Sequence, residues 1–569
     1  MLRSVDTGLV GDDYYTRVIL KGIPLPGTRG GPFDLFTFST PELNAAQQDI
    51  GLRGWWADPL GKVSFFRPLS SLTHALDYAL WPDSATAHHA HNVLWFGFAL
   101  VLLSFIYDSI FGSAWPGRLA LFLFAFDDSH AFGVSWVANR NLLVAFALGL
   151  LMLWTHIKAR QTEQHRFAVL ASVAFGASLL AGESALTTAA YVLCYALLLD
   201  GASRRSRALS LLPYAVVFVA WRILYRALGY GSARSGLLLD PLSAPLDFLQ
   251  AALHRFPALL SAQLALPPSE LWHSYPVVAS WLPAVMLAWM IALIAGCAWL
   301  VLPLLRSDPR LQFCAAGFLL SALPFCATVP HDRLLFAPGI GAMALLAFFV
   351  AAALARAPTL LTSRLRARVA PFAAAATLIV HGILSPMALS GGRESAAKVA
   401  RFIGRTDEAV PDDPSVEQKS AVLLNPPLGD AFGGYLPLAR VATGRHRPKH
   451  VRWLATGVSA VHVERVDERT LRVQQDQGYF KLDWELLHRS RHHPMPLGHQ
   501  VKLRDVTIVI TRLTEDGRPF EIEARFTEKL ESAKLIFLAW AGTTFQRFKP
   551  PRIGERVTLP KVDYLKVAR

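Results

Sequence analysis

Four groups of ionisable residues in this 569-residue chain carry the chemistry: Asp12-Asp13, Asp127-Asp128 with His130, Glu183, and His331-Asp332-Arg333. Adjacent carboxylates repel, so one of a pair is pushed toward a raised pKa and can serve as a base. Such a pair can instead hold a divalent cation, Mg or Mn, against a phosphate. For Asp12-Asp13, followed by Tyr14-Tyr15, the plain alternative is a solvated turn. Asp127-Asp128 sits between Phe126 and Phe132 in an apolar run. A charge at the centre of a membrane helix costs roughly 2.5–3.5 kcal/mol, so an acid there is functional by default; the alternative is a short turn that reaches water. Glu183 either lines a cavity or caps a helix N-terminus. Asp332 and Arg333 either pair with each other or anchor an anionic head group. Arg67, flanked by Phe66 and Pro68, has the planar fork that grips a phosphate, unless it only snorkels from a helix end. His89 and His91, with Asn92, open an apolar run as ligands, proton carriers or a polar helix start.

The elements that must position these groups are membrane helices. Hydrophobic residues make up 53% of the chain and charged ones 17%, a balance outside the soluble range. Crossing a bilayer takes about 20 apolar residues. The pattern predicts about ten spans, at 92–112, 117–138, 141–158, 167–183, 185–200, 208–229, 278–305, 311–328, 335–356 and 369–389. The amphipathic stretch 245–266 is expected to lie in the interface. Lys158, Arg160 and Arg166, then Arg204, Arg205 and Arg207, then Arg306 and Arg310, and then Arg356, Arg364, Arg366 and Arg368 mark cytoplasmic loops. Alternation places all four ionisable groups, and everything after residue 390, outside. Much of the net charge of +14 sits in these loops and sets topology, so no nucleic-acid partner is expected. An outside N-terminal segment needs either a further helix upstream or direct export of a tail of about 90 residues. Cys194, Cys297, Cys314 and Cys326 all fall in apolar spans and lack metal spacing.

Three regions follow: a first extracytoplasmic loop (1–91), a transmembrane helical domain (92–390) and a β-rich extracytoplasmic domain (395–569). The loop is rich in Gly and Pro, with helix expected around 69–81; Trp55, Trp56, Phe65 and Phe66 suit the headgroup layer. The last region alternates apolar and polar residues near Val422, Val461, Leu471, Val506 and Leu535, which predicts strands in a small sandwich or barrel. It holds no catalytic motif. His488-Arg489-Ser490-Arg491-His492-His493 has no second ligand set at a metal-binding spacing and reads as a solvated basic loop.

In order, these pieces resemble the polytopic C-type glycosyltransferases (GT-C), nearest to the transmembrane O-mannosyltransferase branch and its bacterial relatives. That group has an acidic pair in its first outer loop, matched by Asp12-Asp13. Its Tyr-Arg-Pro-Leu is similar to Phe66-Arg67-Pro68-Leu69, with Asp77-Tyr78 following. Its His-x-x-Asn is similar to His89-Ala90-His91-Asn92. Its His-Pro-x-His-x-Glu stretch, continuing to Trp and Arg, is matched by Asp127-Asp128-Ser129-His130, Trp136 and Arg140. Its Lys-Glu matches Gly182-Glu183, and its Glu-Arg-Tyr-Leu matches Asp332-Arg333-Leu334-Leu335. The resemblance covers about residues 10–345. Phe132 stands where the family has Glu, Asp127-Asp128 replaces His-Pro, and the β-rich region replaces a tetratricopeptide tail; these departures point to a divergent donor or acceptor, or to lost catalysis.

The resemblance implies transfer of a sugar from a polyprenyl-phosphate carrier to an extracytoplasmic glycan, lipid or protein acceptor, by an inverting displacement in the cytoplasmic membrane. Asp12, Asp13, Asp127 and Asp128 would supply catalytic carboxylates. Arg67, His89, His91, Asn92, His130, Arg140, Glu183, His331, Asp332 and Arg333 would bind substrate, with Arg67 and Arg333 stabilising the leaving phosphate. No cofactor is required beyond that possible Mg or Mn. Two rival readings are a transporter or flippase for a lipid-linked or anionic solute, and a non-catalytic scaffold displaying the last domain.

Overall fold

The computed structural model describes residues 7–427 and 434–563. Each predicted span contains a helix. Among the described residues, seven helices are long and apolar enough to cross a membrane: Ala85–Phe111, Val137–Thr162, Arg204–Ala227, Leu282–Ser307, Pro309–Ala327, Phe336–Leu354 and Arg364–Leu389. Three shorter apolar helices, Trp115–Ala125, His165–Ala181 and Ala185–Leu198, complete the set. Leu282–Ser307 buries only Met290 and Leu304 while Val285, Trp289 and Ile291 stand more than half exposed. Such a surface is stable against lipid and not against water. The chain is a multi-pass membrane protein.

The predicted span 117–138 is broken. Its helix stops at Ala125 and a short one resumes over His130–Ser135. The Asp127 carboxylate accepts the Ser129 N–H at 2.9 Å, a local bond that competes with helix continuation. The predicted interfacial stretch forms the helix Pro245–Leu264, burying Phe248, Ala251, Ala258 and Leu259 and exposing Leu246, Leu249 and Leu253.

Helices Ala185–Leu198, Pro309–Ala322 and Phe336–Leu354 approach closely because two glycines allow it. A Cβ on Gly341 would stand 2.1 Å from the Cys314 carbonyl oxygen, and one on Gly317 would stand 2.0 Å from the Tyr191 ring. The Tyr191 hydroxyl donates to the Ala337 carbonyl and accepts from the Gly341 N–H, both at 2.9 Å. Gly341→Ala is expected to destabilise the helical unit by about 1–3 kcal/mol, the range for overpacking. A lowered melting temperature in detergent checks this, against an unchanged Gly296→Ala, whose Cβ meets nothing within 4 Å.

The chain divides into two compact units whose boundaries differ from the expected three. One comprises Phe66–Tyr230 and Leu239–Ala396, with the residues up to Gly8. The other comprises Leu9–Phe65, Gly231–Leu238 and the chain from Ala397. The first loop is therefore not a separate domain. Strands Thr37–Ser39, Lys62–Ser64 and Gly231–Ala233 pair into one antiparallel sheet that ties the loop to the residues around 231. Trp55 and Trp56, expected at headgroups, are buried in the second unit, stacked edge-on against Tyr479 and Trp453 at 5.6 and 5.7 Å. The apolar area they remove from water is the physical reason.

That second unit holds a six-stranded antiparallel sheet in the order Arg556–Leu559, Val461–Arg465, Thr470–Gln475, Pro519–Phe526, Val506–Leu513, Gln500–Lys502. A four-stranded sheet runs Thr544–Arg547, Leu535–Ala541, Ser420–Leu423, His450–Trp453. All five predicted strands are present. Ser420–Leu423 is parallel to both its neighbours, so the unit is not the simple sandwich or barrel expected. A parallel pair needs a crossover, supplied between Ser420–Leu423 and His450–Trp453 by the segment with helix Tyr435–Ala442. Val463, Val473, Ile508 and Ile522 of one sheet share a core with Val422 and Leu538 of the other. The predicted solvated loop at 488–493 is half wrong. Arg489 is buried and donates to the His493 carbonyl at 2.9 Å, and burial beside Arg53 pulls the His488 pKa far below its usual value.

A candidate active site in the helical unit

Three predicted acids from two separate turns meet at one cavity. Asp127 and Asp128, from the turn after Trp115–Ala125, and Asp332, from the turn before Phe336–Leu354, line a cavity of about 70 Å³. Its other walls are Ala262, Ala265 and Leu266 and, from the last helix, Val380, His381, Leu384, Ser385 and Ala388. Among the described residues, no Lys or Arg lines it.

Each acid is held differently. Asp127 is buried, accepts from Ser129 through one oxygen and takes the Gln263 amide through the other at 3.0 Å. The Ser385 hydroxyl donates to Asp128 in a very short hydrogen bond and accepts the Asp128 N–H at 3.1 Å. Burial raises the Asp128 pKa above the carboxylate value of 3.8, Ser385 pulls it back, and Asp127 adds to the rise. Asp332 accepts the Ser269 N–H and hydroxyl at 2.8 and 2.7 Å. Burial and the neighbouring Glu270 push its pKa well up. Glu270 also takes the Asp332 N–H at 3.2 Å. Gln263, Ser269, His381 and Ser385 lacked any motif signal; they are common polar residues whose role is set by the turn opposite them.

Arg333, next to Asp332, lies 4.9 Å over the Trp136 ring and donates to Asn139 at 3.4 Å. It does not pair with Asp332 in the way the plain alternative required; Asp332 takes Ser269 instead. His331 stacks on Phe132 at 5.2 Å, and Phe132 packs on Trp136 at 5.3 Å. Phe132, which replaces the expected Glu, is thus the core of an aromatic shelf under Arg333. Burial and Arg333 lower the His331 pKa well below 6.5, and its Nδ1 accepts the Arg333 N–H at 3.3 Å.

Arg67, His91, Asn92, Arg140 and Glu183 do not line the cavity; they connect to Arg333 through the segment Asn139-Arg140-Asn141. Asn139 holds Arg333. Arg140 is fully buried and pairs with buried Asp77 at 2.5 Å, while donating to Asn92 at 2.6 Å and to the Thr73 and His88 carbonyls. Asn141, with its amide oriented to satisfy its neighbours, accepts from Arg67 at 3.2 Å. Arg67 also donates to Glu183 at 2.8 Å, and Glu183 accepts the Tyr225 hydroxyl at 3.2 Å. Glu183 is therefore an ion-pair partner of Arg67, which leaves Arg67 neutralised. Asp77 bonds His91 at 2.6 Å, and Trp95 donates to the other His91 nitrogen at 3.1 Å. Asp77 was visible in the sequence as a lone acid in the apolar helix Pro68–Leu80.

Two predicted ligands have structural roles instead. His130 is buried between Phe336 and Phe124, both 4.5 Å away, and burial lowers its pKa to about 4. A ring packed this way cannot turn to a substrate without unpacking the core. His89 is buried with Nε2 on the Gly8 carbonyl at 2.9 Å.

Asp12 and Asp13 belong to the other unit, at the start of helix Asp12–Leu20. Asp13 is buried and accepts the Val10 N–H at 2.8 Å; Asp12 accepts the Tyr435 hydroxyl at 2.7 Å. Neither is the solvated turn of the plain alternative; carboxylates at a helix N-terminus are stabilising. For a divalent cation the fit is poor. Among the described residues no three His, Cys, Asp or Glu side chains are grouped to hold a metal, and the Asp127 oxygens are already engaged.

No family model and no curated protein matches the chain. Among solved structures it is similar to ArnT from Cupriavidus metallidurans bound to undecaprenyl phosphate, at 13% identity over 80% of this chain and 87% of that one, with a TM-score of 0.36. It is also similar to the oligosaccharyltransferase AglB from Archaeoglobus fulgidus in complex with an inhibitory peptide and a dolichol-phosphate, at 13% identity over 78% of this chain and 61% of that one, with a TM-score of 0.39.

Proposed function

We propose that the helical unit is a GT-C-like glycosyltransferase centre, moving a sugar from a polyprenyl-phosphate carrier to an acceptor hydroxyl on the outer side of the cytoplasmic membrane. The observation that carries this reading is the meeting of Asp127, Asp128 and Asp332 opposite an apolar wall that includes Leu266, Leu384 and Ala388. A cavity that is acidic on one side and apolar on the other suits a hydroxylated head on a lipid tail.

Asp128 is the base. Its raised pKa brings it closer to the working pH, where a general base is most effective. The acceptor oxygen attacks the anomeric carbon, its proton passes to Asp128, and the carbon–oxygen bond to phosphate breaks. The electron pair leaves on the lipid phosphate, so no covalent enzyme intermediate forms. Asp127, fixed by Gln263 and Ser129, orients the turn. Arg333, held by Trp136 and Asn139, supplies the cation for the departing anion. The acceptor belongs to the outer compartment, with the β-rich unit on the same side.

The test is direct. Full-length protein in detergent or vesicles is given undecaprenyl-phosphate-linked sugars and a mixed pool of envelope acceptors, and release of undecaprenyl phosphate is followed. Release that requires both Asp128 and Arg333 supports transfer. Movement of intact lipid-linked sugar across vesicles without release would favour a flippase. Silence across the donor panel would favour a scaffold.

A further inference from the structure

The last membrane helix changes its winding beside the cavity. Val380–Leu384 forms a π-helical turn between Arg364–Ile379 and the helix beginning at Ser385. Such turns recur at functional sites because they re-aim side chains. Here the turn delivers His381 and Ser385 to one cavity wall. Ser385 is spent on Asp128. His381 is buried, and its Nε2 lies 3.0 Å from the Leu264 carbonyl. A carbonyl only accepts, so Nε2 carries the proton, and in the neutral ring Nδ1 is left as an acceptor. Among the described residues, Nδ1 has no hydrogen-bond partner. A buried acceptor without a partner is costly and calls for an explanation.

Resting on the transferase reading, we propose that His381 is a specificity-determining residue whose Nδ1 accepts a hydrogen bond from a ring hydroxyl of the transferred sugar. Among the described residues the cavity is lined by three carboxyl groups, two hydroxyls and the His381 ring and by no Lys or Arg, so it suits the neutral, donor-rich sugar and not its phosphate.

The experiment uses full-length protein and undecaprenyl-phosphate-linked hexoses, with their monodeoxy forms, measuring both binding and turnover. His381→Gln keeps a donor for the Leu264 carbonyl and loses the Nδ1 acceptor; His381→Asn keeps an acceptor near the Nδ1 position. On the best-bound sugar, His381→Gln is expected to weaken binding about tenfold, the worth of one hydrogen bond near 1.4 kcal/mol. His381→Asn should retain most of it. One monodeoxy form should bind wild type and His381→Gln equally well. A loss of equal size for every deoxy form, or no loss for any, overturns the inference while leaving the transferase intact. The selective pattern in binding without turnover supports His381 and overturns the transferase. Absence of binding by wild type to every probe overturns both.

Discussion

Asp128→Asn is expected to lower turnover by about 10²–10⁴-fold, the span that a positioned general base contributes, with little change in donor binding. The shape of the pH profile makes the assignment specific. Burial raises the Asp128 pKa and the Ser385 bond lowers it. The base must be ionised, so wild-type rates should fall as pH drops through a limb above the ordinary carboxylate range. Removing the hydroxyl in Ser385→Ala removes the lowering contribution, so that limb should move to higher pH. A limb that stays in place would sink the pairing of Ser385 with the base. Stability runs the other way. A carboxyl whose folded pKa is raised contributes stability that is full below its unfolded value and is lost as pH rises through the folded value. Asp128→Asn removes that ionisation, so the variant should melt no lower than wild type near neutral pH while being inactive. A variant that loses activity and stability together would speak for a structural role.

The sequence exposed the helical unit well because hydropathy reports burial in lipid directly. Each predicted span contains a helix, and the acids that interrupted the pattern at 127, 128 and 332 are the ones that meet at the cavity. Hydropathy failed where long-range packing overrode the local pattern. Trp55 and Trp56 look like interfacial anchors from their neighbours alone, yet the sheets around Trp453 and Tyr479, some 400 residues later, bury them. His130 sits in a motif that promises a ligand, and only the position of Phe336 shows that its ring is packing. The strand Pro519–Phe526 was missed because Glu521, which faces inward, hides its alternation; Thr511 donates to it at 2.9 Å. His381 and Ser385 were invisible for a different reason. In an ordinary α-helical register they are two polar residues in a span; the π turn and the opposite Asp128 give them meaning.

The second large effect belongs to Arg140, outside the cavity. Arg140 and Asp77 are both fully enclosed and only 2.5 Å apart, with His91 on the other Asp77 oxygen at 2.6 Å. A buried pair of this kind contributes little net stability over apolar packing, but removing one partner strands the other charge at a cost of about 3–5 kcal/mol. Arg140→Leu should therefore lower the melting temperature in detergent more than any single change in the cavity wall. Arg140→Lys should rescue little, because a lysine lacks the fork that reaches Asp77, Asn92 and two carbonyls together. The double variant Arg140→Leu with Asp77→Leu should recover part of the loss, since no isolated charge remains. Function should not recover with it. Asn139 and Asn141 flank Arg140 and hold Arg333 and Arg67, so relaxing this segment displaces the cation meant for the leaving phosphate. A double variant that regains stability but stays slow would place Arg140 as the fastening of the site, whereas full recovery of turnover would show that the cavity keeps its geometry without it.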